Sequence, residues 1–291
     1  MNLDLALRQG IEILEGAGIH APRLTAEVLL LHAIGLLNAA GAGRTALYTH
    51  PERELSDVER IHYARYLNQR LDGLPTQYVT GRQEFRGLEF RVDPSVLIPR
   101  PETEHVVEKV LTLGKGPVLI ADCGTGSGCI AIALAKELRE ACILAGDLSA
   151  AALDTAARNA VRLSCAGRVS FFRADLLACL ADESIDILVS NPPYVAASDS
   201  ASLPREVRDF EPRMALFAGE VGTEIYRRLV PEAARVLRPG GWVVLELGYN
   251  MAGKVRDLFG DLFPHGGWEQ IETTRDLSGI ERVFSARKSV R

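Results

Sequence analysis

The chain carries two hydrophobic rhythms, and the change between them comes near residue 82. Before it, Leu3, Leu7, Ile11, Leu14 and Gly18 recur at helical spacing, as do Leu24, Val28, Leu31 and Gly35. Ser56-Asp57-Val58-Glu59 is a capping box. In that motif the serine side chain accepts from the third backbone N–H of the helix while the glutamate reaches back to the cap. It predicts a third long helix running to about Leu71. Gly41-Ala42-Gly43 reads as a turn. A small helical bundle over residues 1–81 follows.

From Gln83 to Asp93 the period drops to two and is broken by Arg86-Gly87, which predicts a short hairpin. Pro94 to Pro101 holds three prolines and should be extended. Residues 82–100 therefore read as a hairpin and Pro-rich linker, and 101–291 as a second domain. There, Glu102–Leu113 is helical in pattern. The apolar runs Val118–Ala121, Ala141–Ala145, Val169–Phe172, Ile185–Val189 and Trp242–Leu247 then alternate with helical segments at Cys129–Leu138, Ala150–Leu163 and Gly222–Leu237. This alternation predicts an α/β fold with a mostly parallel sheet covered on both faces. Trp268 to Arg287 reads as two further strands around Leu277-Ser278-Gly279.

Composition refines this picture. Of 291 residues, 47% are hydrophobic and 24% charged, enough for a full core. The net charge of −5 argues against a surface built to neutralise many phosphates. No apolar run approaches a membrane span, and no basic stretch precedes an apolar run at the N-terminus, so neither an anchor nor a secretory signal is expected. The five cysteines include no CxxC pair and are odd in number. That fits a reducing cytoplasm better than a disulfide framework or a zinc site. The six histidines are scattered without HxxxH spacing, so no metal site is expected.

Candidate chemistry sits at strand ends. Gly124, Thr125, Gly126, Ser127 and Gly128 follow the first strand and open a helix. Such a turn either admits a ligand close to the backbone or is simply tight. Its G-x-G-x-G spacing differs from that of dinucleotide binders. Asp147 ends the second strand and either accepts the ribose hydroxyls of an adenosine or, like Ser149, caps a helix. Asp175, after the third, either accepts from an adenine amine beside an apolar wall at Leu176 or is a surface carboxylate. After the fourth strand comes Asn191-Pro192-Pro193-Tyr194. Two prolines remove two donors and fix φ twice. The Asn191 side-chain oxygen and the Pro192 carbonyl are then free to accept from one NH₂ group, and Tyr194 offers a flat face for a planar substrate. Together the four strand ends point to an adenosine-bearing ligand beside a planar amide or amine NH₂ group. Arg100, Glu102 and Glu104 form either a lid over the site or the charged first turn of a helix.

The order and wording of these motifs resemble class I methyltransferases with an NPPY motif, and more narrowly the release-factor glutamine methyltransferases. The resemblance covers nearly the whole chain. It includes Leu97-Ile98-Pro99-Arg100-Pro101-Glu102-Thr103-Glu104, Phe210-Glu211-Pro212-Arg213 with Ala215-Leu216, Arg275-Asp276-Leu277-Ser278-Gly279 with Glu281-Arg282-Val283, and a helical N-terminal domain of this size. It implies a Rossmann-like, S-adenosylmethionine-dependent enzyme that releases S-adenosylhomocysteine. Residues 124–128 would cradle the methionine part, Asp147 the ribose, and Asp175 with Leu176 the adenine. Asn191 would border both cofactor and substrate. With Pro192, Pro193 and Tyr194 it would hold the glutamine of a release factor's Gly-Gly-Gln loop, Arg100 and Glu102 assisting, while residues 1–81 recognise the release factor. Cys123 and Gly146 depart from the family's usual residues without removing a contacting group.

Two rival readings have different discriminators. A nucleic-acid methyltransferase acting on an exocyclic adenine amine would use the same tetrapeptide, but it would need backbone neutralisation. The acidic balance opposes it. A non-enzymatic adaptor with a relict fold would have no need of Asn191 and three loop glycines.

Overall fold

A computed structural model of the chain describes residues 1–36, 43–264 and 266–290. The first two residues of the turn expected at Gly41-Ala42-Gly43 lie outside the described residues. The chain divides into two compact units, Met1–Gly81 with Pro204–Phe210, and Arg82–Leu203 with Glu211–Arg291.

The first unit contains α1 (Leu3–Gly16), α2 (Pro22–Ala33), α3 (Ala46–Thr49), α4 (Asp57–Leu71) and α5 (Thr76–Thr80). The Asn2 side chain caps α1, and the reciprocal Ser56–Glu59 box starts α4. Helix α1 buries Leu3, Ala6, Leu7 and Leu14. A Cβ at Gly10 would stand 1.9 Å from the Tyr63 hydroxyl, so glycine there lets α1 and α4 approach closely. The stripe expected on α2 holds at Leu31, which is buried, and is corrected at Leu24, which is 46% exposed; the rest of the buried face carries Ala26, Leu29, Leu30 and Ala33. Four consecutive apolar residues, Val28 to Leu31, leave the face ambiguous by spacing alone. Pro204–Phe210 lies inside the stretch read from sequence as the second domain, yet it packs with the helical unit. Glu206 pairs with Arg70, and Phe210 lies against Gly73.

The second unit opens with a hairpin of β1 (Arg82–Phe85) and β2 (Leu88–Arg91). Its two-residue turn puts both Arg86 and Gly87 at positive φ. After the Pro-rich segment come α6 (Glu104–Leu113), β3 (Leu119–Cys123), α7 (Cys129–Glu137), β4 (Cys142–Asp147), α8 (Ala150–Arg162), β5 (Val169–Arg173) and β6 (Ile185–Ser190). The chain continues through β7 (Val195–Ala196), α9 (Arg205–Phe210, part of the first unit), α10 (Arg213–Leu216) and β8 (Phe217–Gly219). It ends with α11 (Glu224–Val236), β9 (Leu237–Glu246), α12 (Ala252–Leu262), β10 (Trp268–Arg275) and β11 (Glu281–Lys288).

Seven strands form one sheet in the order β10-β11-β9-β6-β3-β4-β5. The pairs from β9 to β5 are parallel, and β11 and β10 run antiparallel at one edge. Side chains alternate between the faces as the strand period requires. Ile120, Ile187, Val189 and Val244 join one apolar core with α6, α7 and α8, and Ala121, Leu188, Val243 and Leu245 join another with α11 and α12. Chain order reverses at β3, whose neighbours are β4 and β6. In such sheets the crevice outside the carboxyl ends at this reversal is where ligands bind. No described helix is long and apolar enough to cross a membrane.

The capping box carries a stability prediction. Ser56→Ala is expected to lower stability of the helical unit by about 1 kcal/mol, checked by chemical denaturation. An unchanged midpoint would mean that tertiary packing alone fixes the start of α4.

Candidate active site

The sheet register lines up the strand ends. Cys123 of β3 stands beside Gly146 of β4 and Ser190 of β6, and Ser190 beside Leu245 of β9. One residue further on lie Gly124, Asp147, Asn191 and Glu246. A cavity of about 350 Å³ opens over this row, within the usual range for ligand sites.

Its floor is the Gly-rich turn. The N–H groups of Gly124 and Thr125 both donate to the Gly146 carbonyl at 2.9 Å, folding the turn over the end of β4. Gly124 and Gly126 have positive φ, and a Cβ on either would meet no protein atom within 4 Å. Protein packing therefore leaves space over both, and both line the cavity. Gly128 differs: its Cβ would press on Ala156 and Ile132 at 3.1 Å, so it serves helix packing and does not line the cavity. Gly146 is glycine because the Phe172 ring lies where a Cβ would be, 2.4 Å away.

Asp147 accepts from the Gly126 N–H at 2.9 Å and from the Ser149 N–H at 2.9 Å. The cap of α8 is Ser149, whose hydroxyl accepts from Ala152 N–H. Each Asp147 oxygen thus has one protein partner and a lone pair to spare. Asp175 lines the cavity but is not a lone surface acid, since its Oδ2 pairs with Arg228 at 2.6 Å. Leu176 beside it holds φ at 50°, a costly conformation for a non-glycine residue that clusters at functional walls.

Asn191 lines the cavity, and its Nδ2 donates to the Thr103 hydroxyl at 3.2 Å. The Ser190 hydroxyl donates to the Cys123 carbonyl at 2.6 Å and ties β6 to β3 beneath it. Pro192 and Pro193 also line the cavity; Tyr194 does not. The Tyr194 ring packs over Gly248, where a Cβ would clash at 2.6 Å, and burial pushes its hydroxyl pKa up. The ring is absent from the cavity lining and packs behind the loop. Arg100 lines the cavity and pairs with Glu211, whose other oxygen accepts from Ile98 N–H at 3.1 Å. Glu102 faces Arg282 at 3.9 Å and is absent from the lining. Glu104 accepts from Arg86 N–H and so braces the hairpin turn.

Sequence reading missed four site residues. Asp122 is fully buried, accepts from the Thr125 hydroxyl at 2.6 Å, and has its pKa pushed up to about 7 by burial, with the Asp147 charge adding to the effect. Glu246, 2% exposed, is likewise pushed up to about 7 by burial. Its signal was a single charge within the apolar run Trp242–Leu247. Thr103 and Glu211 had a signal only as parts of longer motifs. Among the described residues, no cluster of side chains suits a metal ion.

Residues 6–81 match the PrmC N-terminal domain and residues 105–206 the methyltransferase small domain. The chain is 42% identical over 291 residues to the release factor glutamine methyltransferase of Koribacter versatilis, covering 99% of both chains. It is 42% identical over 287 residues to that of Nitratidesulfovibrio vulgaris, covering 98% of this chain and 94% of the other. The chain belongs to the release factor glutamine methyltransferase family. This enzyme has the fold of S-adenosylmethionine-dependent methyltransferases, shared with a Pyrococcus furiosus methyltransferase structure at TM-score 0.52, 18% identity, and coverage of 70% and 91% of the two chains.

The buried acid in this methyltransferase gives a pH prediction. The folded pKa of Asp122 lies above its unfolded value of 3.8, so its contribution to stability is full below pH 3.8 and is lost as pH rises through about 7. Asp122→Asn is therefore expected to be more stable than wild type at pH 8, by at least about 1 kcal/mol, the scale of one pK unit. The gain should shrink as pH falls toward 4. Thermal denaturation across that range checks it.

Proposed function

We propose that this enzyme transfers the methyl group of S-adenosylmethionine to the side-chain amide nitrogen of the glutamine in a release factor's Gly-Gly-Gln loop. The observation that carries the reading is Asn191 at the cavity wall with its amide nitrogen engaged by Thr103, leaving its oxygen available to a substrate NH₂. The release factor and its glutamine enter through the names of the relatives.

The residues present fit the cofactor. The space over Gly124 and Gly126 suits its methionine part, and Ser127, whose buried hydroxyl lacks a protein partner, adds a polar group there. Asp147 has lone pairs for two ribose hydroxyls. Leu176 walls the adenine side, and Asp175, braced by Arg228, keeps one oxygen for its amine. S-adenosylmethionine, when bound, supplies an electrophilic methyl group on a sulfonium.

An amide nitrogen is a poor nucleophile because its lone pair is delocalised into the carbonyl. The Asn191 oxygen and the Pro192 carbonyl accept its two hydrogens. They fix the direction of the nitrogen and stabilise the positive charge that grows on it. Orientation alone can lower such a barrier by roughly 7–11 kcal/mol. Tyr194, wedged on Gly248, keeps the loop in place. Arg100, held by Glu211, sets a positive group at the cavity wall. The cavity is lined wholly by the second unit. The helical unit then selects the protein substrate, since a glutamine side chain offers few contacts and remote binding energy can raise turnover.

Asn191→Ala is expected to lower turnover on a release factor by about 10² or more, with cofactor affinity changed less than about threefold. Steady-state methyl transfer with calorimetry checks both, and retention of a third of wild-type turnover would remove the amide-acceptor role. Asp147→Ala should weaken cofactor binding at least about tenfold, because hydrogen bonds to a charged acceptor are worth about 1.5–3 kcal/mol each. Unchanged affinity by calorimetry would reduce Asp147 to a brace for Gly126.

A further inference from the structure

Asn191 can serve as an acceptor only if its amide is turned the right way. A primary amide fits a site in either of two orientations that differ by exchange of oxygen and nitrogen. Thr103 does not decide between them, because a hydroxyl both donates and accepts. Glu246 does decide. β6 and β9 run parallel with Ser190 beside Leu245, so the next residues, Asn191 and Glu246, emerge as neighbours. Thr103 and Asn191 both stand close enough to the Glu246 carboxyl to lower its pKa against the effect of burial. A carboxylate only accepts, so it attracts the amide NH₂ and repels the amide oxygen.

We propose that Glu246 is a positioning residue for methyl transfer: acting with Thr103, it turns the Asn191 amide nitrogen into the protein and presents the Asn191 oxygen to the cavity. The Thr103 hydroxyl, 1% exposed, takes the Asn191 amide hydrogen at 3.2 Å, which leaves its own hydrogen to turn toward the nearby Glu246 carboxylate. The inference rests on the amide-acceptor reading given above and names what enforces it.

A merely structural role fits Glu246 poorly. Val243, Val244, Leu245 and Leu247 around it are fully buried and apolar. Its Oε2 has no hydrogen-bond partner, and Arg282, whose charge acts on it, bonds to Asp276 instead. A buried carboxylate without an ion-pair partner costs stability, and an apolar or amide side chain would serve the fold as well. What neither supplies is a group that can only accept.

The test uses the full-length enzyme with a release factor at pH 8, where Glu246 is ionised. Glu246→Gln keeps the shape but offers Asn191 both an oxygen and an NH₂, so the amide is free to turn. Its kcat is expected to fall at least about tenfold, a partial loss against the 10² of a deleted group. Cofactor affinity and KM for the release factor should stay within about twofold. Thr103→Ser should keep near wild-type kcat, while Thr103→Val should lose it as Glu246→Gln does. Glu246→Gln retaining more than half of wild-type kcat, or Thr103→Val behaving like Thr103→Ser, overturns the proposal. Should Glu246→Gln fail to fold, the Thr103 pair decides alone. Asn191→Ala, measured alongside, separates the two claims. If it loses turnover while Glu246→Gln does not, positioning by Glu246 is wrong and the acceptor reading stands; if it keeps turnover, both fall.

Discussion

The alignment of Cys123 with Gly146 and Ser190, and of Ser190 with Leu245, is the constraint on which the site depends. Parallel pairing brings four chain segments to one edge in one register, so Gly124, Asp147 and Asn191 line the same crevice and Glu246 lies buried beside Asn191. A slip by one residue would turn Asn191 or Asp147 to the opposite face. The ends are then cross-tied by polar contacts that the ladder does not supply. Gly124 and Thr125 bind the end of β4, Asp147 binds Gly126, and Ser190 binds the carbonyl of Cys123. Alternating apolar residues in two cores hold the sheet beneath. The site is thus as rigid as the sheet, which is what placing a poor nucleophile demands.

Charge in the crevice is managed by burial as much as by pairing. Asp122 and Glu246 lie at the ends of β3 and β9, both withdrawn from water and both pushed toward neutrality. Asp147 and Asp175, nearer the opening, keep hydrogen-bond or ion-pair partners. The deeper acids orient neighbours, Thr125 in one case and Asn191 with Thr103 in the other. The outer acids keep lone pairs for a ligand. The fold carries the cost of two buried carboxyl groups, a burden that apolar packing alone would not impose.

Much of this was legible in the chain because its causes are local. The α4 capping box, the Arg86-Gly87 hairpin turn and the alternating strands each depend on a few adjacent residues. So do the glycines of the turn and the Asn-Pro-Pro run, whose chemistry follows from φ restriction. Helix α12 is not assigned from sequence, although Ala252, Val255, Leu258 and Phe259 keep helical spacing, since Gly253 and Gly260 lower its helix propensity. The stripe of α2 was misread because its centre is apolar on every side. Gly128 reads like its neighbours and packs against Ala156 and Ile132, and Tyr194 reads like a substrate platform and packs on Gly248. The roles of Thr103 and Glu246 lie beyond their faint signals for a deeper reason: Thr103 is 88 residues from Asn191, and only the fold brings them together.

Under the proposed function, this crevice methylates an amide nitrogen of a protein. Mass spectrometry of a release factor after incubation with the enzyme and S-adenosylmethionine tests it most directly. The expected result is a single added methyl group, mapped by fragmentation to the side-chain amide of the Gly-Gly-Gln glutamine and absent without enzyme. A methyl group on any other residue, or none while a nucleic acid in the same reaction becomes methylated, would contradict it.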